Sequence, residues 1–464
     1  MKNEGKDSFR DKIYTADESG KRKWVYATKP FGKFYNYRTI LTVFYIVFFF
    51  SMPFIKVDGH PLFLFDVLER KFILFGAIFW PQDFFIFAVG MLAFMVFIVF
   101  FTVVFGRVFC GWICPQTIFM EMIFRKIEYW IEGTAEKQRK LDAQPWNREK
   151  IFRKTSKHII FWVLSFIIAN TFLAYIIGID SLFKIISEPI SKNVIGFLSI
   201  MAFTTVFYGV FAFAREMVCT FACPYGRLQG VLLDKHSIVV AYDYERGEPR
   251  GKIKKGEEQS NGDCVDCGLC VRVCPTGIDI RNGTQLECVN CTACIDACDS
   301  IMEKVNRPKG LIRYASENNI ALKQKTKITP RMIGYSVVLV LLLGLFSVLL
   351  ATRKDIGAAI TRAQGQLYQQ PDSLHYSNLY TIKLINKTVK DVPVTLRLED
   401  ISGEIKMVTP QLKVTSESMA EGTFFVILSP EQILQRSMDI RVGVYSGDKK
   451  IETVKTKFFG PVLQ

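Results

Sequence analysis

Five apolar runs of bilayer length, eight cysteines in two identical spacings, and a C-terminal stretch of two-residue alternation together predict the fold class. The chain reads as an α-helical membrane protein of five transmembrane helices, with a cysteine-rich cytoplasmic insert and a C-terminal immunoglobulin-like β-sandwich. Composition points the same way. Half of the 464 residues are hydrophobic and 40 are Phe, and the mean hydropathy of +0.20 exceeds that of ordinary soluble chains. The formal charge of +15 could suit a nucleic-acid binder, but the basic residues flank apolar runs. That placement favours a cytoplasmic membrane surface as the charge's partner, and no nucleic acid is expected.

Residues 1–38 form a polar, basic segment containing Trp24, with no short apolar region and small-residue cleavage site that would mark a signal peptide. The expected spans are 39–57, 84–106, 158–178, 193–214 and 332–352. As a helix, 84–106 covers about 34 Å, enough for a bilayer core. Basic residues set the orientation. Segments 1–38 and 125–157 hold ten Lys and Arg each, whereas 59–83 and 179–192 hold two each. The N-terminus and the insert are therefore expected in the cytoplasm and the C-terminal domain in the periplasm, with the protein in a bacterial inner membrane. The expected domains are 1–38, a four-helix membrane domain 39–223, the insert 224–331, the fifth helix 332–352 and the outer segment 353–464.

The connection 61–81 is apolar but interrupted by Asp66, Glu69, Arg70 and Lys71, so a β-hairpin or re-entrant segment on the outer face is expected. After the fifth span, 353–369 reads as a short helix or linker. Strand periodicity then begins: Tyr380, Ile382 and Leu384 alternate, as do Val392, Val394, Leu396 and Leu398, and then Ile440, Val442 and Val444 ahead of the turn Ser446-Gly447-Asp448. This part has no cysteine and hence no inter-sheet disulfide.

The insert carries Cys264, Cys267, Cys270 and Cys274, then Cys288, Cys291, Cys294 and Cys298, each set spaced C-x2-C-x2-C-x3-C. This is the bacterial ferredoxin spacing, in which the fourth cysteine serves the other cluster. One [4Fe–4S] cluster is thus expected on Cys264, Cys267, Cys270 and Cys298, and a second on Cys288, Cys291, Cys294 and Cys274. Gly268 and the Pro275-Thr276-Gly277 turn suit a backbone folded closely round such a group. Zinc is the competing reading of paired C-x-x-C motifs, but zinc sites use two pairs rather than three cysteines at stride three plus a fourth at stride four. In the first run Pro275 follows the last cysteine, while Asp299 takes that place in the second. All twelve cysteines precede residue 299, which fits a reducing compartment for these regions.

The remaining four cysteines form a repeat. Cys110-Gly-Trp-Ile-Cys114-Pro115 closes the second span and Cys219-Thr-Phe-Ala-Cys223-Pro224 closes the fourth, each following an arginine, Arg107 or Arg215. On a continuous helix, i and i+4 share a face. Four thiols converging from two half-repeats around a pseudo-two-fold axis could hold a soft metal such as Cu(I), carry a redox disulfide, or simply be buried. The arginines are expected to lower the thiol pKa values. The four His residues offer no facing pair within the spans for a bis-His haem. With no G-x-G-x-x-G or Walker motif, the chain is expected to bind neither NAD nor FAD and to draw electrons from a cytoplasmic donor.

The stretches RKFILFGAIFWPQDF, GRVFCGWICPQTIFMEMIFRKIEYWIEG and CTFACPYGRLQGVLLDK, with both cysteine runs and the terminal sandwich, resemble the FixG/CcoG (RdxA) family of cytochrome c oxidase accessory proteins over nearly the whole chain. The C-x3-C-P repeat is also similar to ferredoxin-type quinol dehydrogenases such as NapH; the fifth span and outer β-domain favour the former. The resemblance implies a part in assembling cbb-type oxidase by reducing Cu(II) to Cu(I), with copper and oxidase-assembly factors as partners and self-association allowed for. It also implies that Cys110, Cys114, Cys219 and Cys223 are the membrane-surface thiols that act on copper. A quinol dehydrogenase subunit and a non-catalytic scaffold remain the alternatives.

Overall fold

The computed structural model describes residues 21–461 apart from 58, 68–70, 76, 81–82, 253–261, 326, 354–355, 364, 366, 373–374, 389–390, 409–412 and 416–417. The first 20 residues of the basic N-terminal segment, and Glu69 and Arg70 of the outer connection, lie outside the described residues. Two compact units emerge: 1–55 with 87–346, and 56–86 with 347–464.

Five helices in the described residues are long and apolar enough to cross a membrane: Lys33–Phe54, Phe84–Phe105, Arg148–Ile177, Val194–Ala214 and Pro330–Ala351. The third begins ten residues before its expected start. Asn147 caps it, its side chain accepting from the Lys150 amide at 2.7 Å, and at 30 residues the helix outruns a bilayer core, so its basic first turns extend beyond the apolar stretch. Phe49, Phe119, Phe124, Phe161 and Phe211 pack into one buried cluster that joins four of the chain's helical segments. Phe124 and Phe211 stack with centroids 4.5 Å apart, which accounts for part of the high Phe content.

The insert is fastened to the helices at several places, including two that involve main-chain amides. Asp296 accepts from the amides of Phe34 (3.1 Å) and Tyr35 (2.8 Å), placing a carboxylate at the start of the first spanning helix, where the helix dipole favours it. Gly32 has φ +130°, and a β-carbon there would stand 2.5 Å from the Asp296 side chain, so only glycine fits. At the second place, Ser237 Oγ donates to the Val103 carbonyl (2.8 Å) and the Ile238 amide to that of Val104 (3.1 Å). Strands Val239–Tyr242 and Ile312–Ala315 then pair antiparallel and bracket the two cysteine runs. Val240, Tyr242, Ile278, Ile280, Ile295, Met302, Leu311 and Ile312 form the insert's core together with Cys264 and Cys270.

In the second unit, Met419–Leu428 is flanked by Glu404–Met407 and His375–Asn386, and the latter pairs in turn with Ile356–Arg362. A second sheet orders Thr395–Leu398, Ser437–Ser446 and Lys449–Phe459. The expected alternations point into the core, where Tyr380, Ile382, Leu384, Ile440, Val442 and Val444 are all fully buried. The segment expected as a helix or linker after the fifth span is instead partly a strand. Ile356–Arg362 pairs along the whole of its length, burying Ile356 and Ile360, an arrangement that local pattern could not reveal without its partner strand. The 61–81 connection holds a three-stranded meander, Phe63–Asp66, Lys71–Leu74 and Ala77–Phe79. It belongs to this unit rather than to the four-helix domain in which the sequence placed it. Within the unit, Asp83 accepts from Arg353 (2.8 Å) and Lys387 (2.5 Å).

Candidate functional site

Two cavities, each of about 350 Å³ of empty space, lie in the insert. One is lined by Cys264, Cys267, Cys270 and Cys298; the other by Cys274, Cys288, Cys291 and Cys294, and Cys270 lines both. The fourth cysteine of each run therefore faces the cavity of the other run. Four thiols spread round each cavity fit a multi-iron cubane. Burial pushes the thiols up, Cys270, Cys288 and Cys298 to about 12 and Cys291 to about 11, with Cys274 and Cys294 also raised. A bare thiolate is thus costly here, and metal charge is what makes ionisation favourable. Cys267 is the exposed member of the eight.

The loops repeat their backbone as well as their spacing. Asp266 (φ +49°) and Gly268 (+65°) are left-handed in the first, and Asn290 (+53°) and Thr292 (+65°) occupy the same registers in the second. A β-branched residue is strained in that region, yet Thr292 is held there by burial and by its hydroxyl donating to the Cys291 carbonyl at 2.6 Å.

The C-x3-C-P motifs differ from the single helix expected. Cys110 lies on the short helix Val108–Trp112, and Cys114 precedes the next, Pro115–Phe119, with ψ 126°. Cys219 sits in the π-helical turn Val218–Ala222, and Cys223 caps Pro224–Leu232 with ψ 109°. A residue before proline is driven to extended backbone, so each motif bridges two helices and the same-face argument does not apply across the break. The repeat extends four residues upstream of each first cysteine, where Gly106 (φ +56°) and Arg215 (φ +49°) make matching left-handed turns.

The two halves nevertheless meet. Gln116 of the first half donates to the Arg215 carbonyl of the second at 3.3 Å. Cys110 shares a buried apolar cluster with Val289 and Cys291 of the second cavity, and its thiol donates to Gln229 Oε1 at 3.0 Å. The Trp112 indole donates to the Tyr314 hydroxyl (3.0 Å), which donates to the Asn290 carbonyl (3.3 Å). The expected lowering of the thiol pKa values is overturned. Burial dominates, taking Cys110 to about 11 and Cys219 to about 12 against the opposing pull of Arg107, and Cys114 is raised too. Arg215 is engaged elsewhere: it bonds Glu128 at 2.8 Å and lies 4.5 Å from the Trp24 ring centroid.

Sequence reasoning overlooked the buried charges behind these motifs. Glu121, Arg125, Glu128 and Glu132 follow one another at strides of four, three and four along an apolar helical segment, a helical stripe that was the available signal. Glu121 pairs with Arg125 (3.2 Å), Glu128 with Arg215 and Lys157, and Glu132 with Lys157 (2.8 Å) and Lys154 (3.0 Å). Gln229, fully buried, was also passed over.

A family model described as a 4Fe-4S dicluster domain matches residues 214–317, one described as a 4Fe-4S binding domain matches 87–133, and one described as an IG-like fold at the C-terminal of FixG matches 346–461. "Protein RdxB" of Cereibacter sphaeroides is 33% identical over 399 residues, covering 80% of this chain and 81% of that protein. "Protein RdxA" of the same organism is 32% identical over 367 residues, covering 76% and 77%. "Nitrogen fixation protein FixG" of Rhizobium meliloti is 37% identical over 322 residues, which span 65% of this chain and 59% of that relative, less than two thirds of its length.

Proposed function

This chain belongs to the FixG/RdxA family, a premise from which we propose that it delivers single electrons from a cytoplasmic donor to Cu(II) during assembly of a cbb-type haem–copper oxidase. It is a membrane iron–sulfur oxidoreductase with two [4Fe–4S] clusters. In our reading Cys264, Cys267, Cys270 and Cys298 hold one cluster, and Cys288, Cys291, Cys294 and Cys274 the other. When bound, the clusters supply one-electron carriage. Copper is the substrate: Cu(II) gains one electron and becomes Cu(I), the state that soft thiolates favour.

The observation that carries this reading is the packing of Cys110 against Val289 and Cys291. It supports the reading by bringing Cys110 against residues that line the second cavity. The chain's own residues hold that junction: Gln229 fixes the Cys110 thiol, and Tyr314 ties the Trp112 side chain to the Asn290 backbone. Exposure of Cys267 makes the first cavity the natural side of electron entry.

The test replaces Cys110 and Cys114, or Cys219 and Cys223, by Ser in the full-length protein. Iron–sulfur absorption is expected to stay at the wild-type level while Cu(II) reduction by the dithionite-reduced protein is lost. Wild-type cupric reduction in both double variants would make the thiols structural. Reoxidation by a quinone analogue but not by Cu(II) would replace the reading with a quinol dehydrogenase.

A further inference from the structure

Arg107 is a buried cation placed between the two redox elements. It is 3% exposed. Its Nε donates to Gln229 Oε1 at 3.2 Å, the same oxygen that accepts from the Cys110 thiol at 3.0 Å. Its Nη1 donates to the carbonyl of Leu286, two residues ahead of Cys288. Its Nη2 lies over Gly226, where a β-carbon would stand 3.0 Å away, so glycine leaves the room that the guanidinium fills. Arg107 thus bonds the partner of the Cys110 thiol on one side and the backbone just ahead of Cys288 on the other.

What this cation lacks is a carboxylate. Glu287 lies within its field, but among the described residues no ion pair forms with Arg107. Burying an arginine without an opposite charge is unfavourable, and two hydrogen bonds to neutral oxygens compensate only in part. Besides Glu287, the neighbours able to carry negative charge are sulfurs: the Cys288 side of the second cavity and the C-x3-C-P thiols.

We propose that Arg107 is a positioning residue that serves as the shared counter-ion of the cluster on Cys274, Cys288, Cys291 and Cys294 and of the Cys110 and Cys219 thiols, stabilising added negative charge at the junction where an electron leaves that cluster for Cu(II) at those thiols. The inference rests on the ligand reading above. A fixed positive charge stabilises the reduced, more negative form of a nearby carrier, so it raises that carrier's reduction potential. The first cavity, whose lining does not include Arg107, is left unaffected. The guanidinium therefore raises the potential of the second carrier and favours the electron beside Cys110.

The experiment is a redox titration followed by electron paramagnetic resonance on the full-length, cluster-loaded protein in detergent. Cys274→Ser first identifies which signal belongs to the second cavity, so an error in the ligand assignment shows in that control alone. Arg107→Gln is then expected to lower the potential of that signal by at least about 59 mV, a tenfold loss in the one-electron equilibrium. Arg107→Lys is expected to lie nearer the wild type, and the other cluster to be unmoved in both. Gln229→Glu supplies a carboxylate partner with Arg107 intact; it is expected to lower the same potential and decides the matter if Arg107→Gln fails to retain iron. Potentials unchanged in the iron-replete variants would overturn the proposal and leave Arg107 a packing residue.

Discussion

Gly111 lies so close to the Val289 carbonyl that a β-carbon at 111 would stand 2.4 Å from the oxygen and 2.9 Å from the Asn290 backbone. The first C-x3-C-P motif thus touches the second cysteine loop backbone to backbone. Neither partner can yield by rotating a side chain, so Gly111→Ala is expected to cost about 1–3 kcal/mol by overpacking and to part the two elements. A lowered denaturation midpoint, with full iron content and slower Cu(II) reduction, is the expected result. Wild-type stability and rate would show the contact to be dispensable.

Cys274→Ser should damage the cluster held by Cys288, Cys291 and Cys294 and spare the one nearer in sequence. The reason is the exchange of fourth cysteines between the cavities. Iron and sulfide analysis with electron paramagnetic resonance checks it, and loss of the Cys264 set's signal instead would reverse the assignment.

Glu128 supplies an acid-dependent share of stability. Burial alone would raise its pKa, but Arg215 and Lys157 outweigh it and hold the carboxyl at about 2. A folded value below the unfolded one, near 4.3, gives stability that is present above the unfolded value and lost as pH falls through the folded one. Glu128→Gln leaves the buried Arg215 facing an amide while Lys157 keeps Glu132, at a cost of roughly 3–5 kcal/mol. Denaturation midpoints measured between about pH 5 and 2 should fall less steeply in the variant than in the wild type; parallel curves would count against the pair.

The orientation is testable by fusion. A reporter active only in the cytoplasm, placed after Gln464, is expected to be silent, and the same reporter at the N-terminus active. Activity at the C-terminal position would mean an even number of spans.

What the sequence determined by itself is what repeats or alternates. The five apolar runs are legible because lipid imposes length and composition on each helix separately. The two cysteine runs are legible because a cubane fixes ligand spacing along a short loop. Tyr380, Ile382 and Leu384 announce a strand because a sheet buries every second residue. The tertiary structure decided what depends on partners distant in the chain. Ile356–Arg362 shows itself as a strand only beside His375–Asn386. The thiols of Cys110 and Cys219 were expected to ionise because an arginine precedes each motif, yet burial, which no local sequence reports, outweighs that charge. Arg215 turns away to Glu128, while Arg107 reaches Gln229 and Leu286. Two arginines at nearly the same place in a repeat thus take different roles, because the charge each meets comes from elsewhere in the fold.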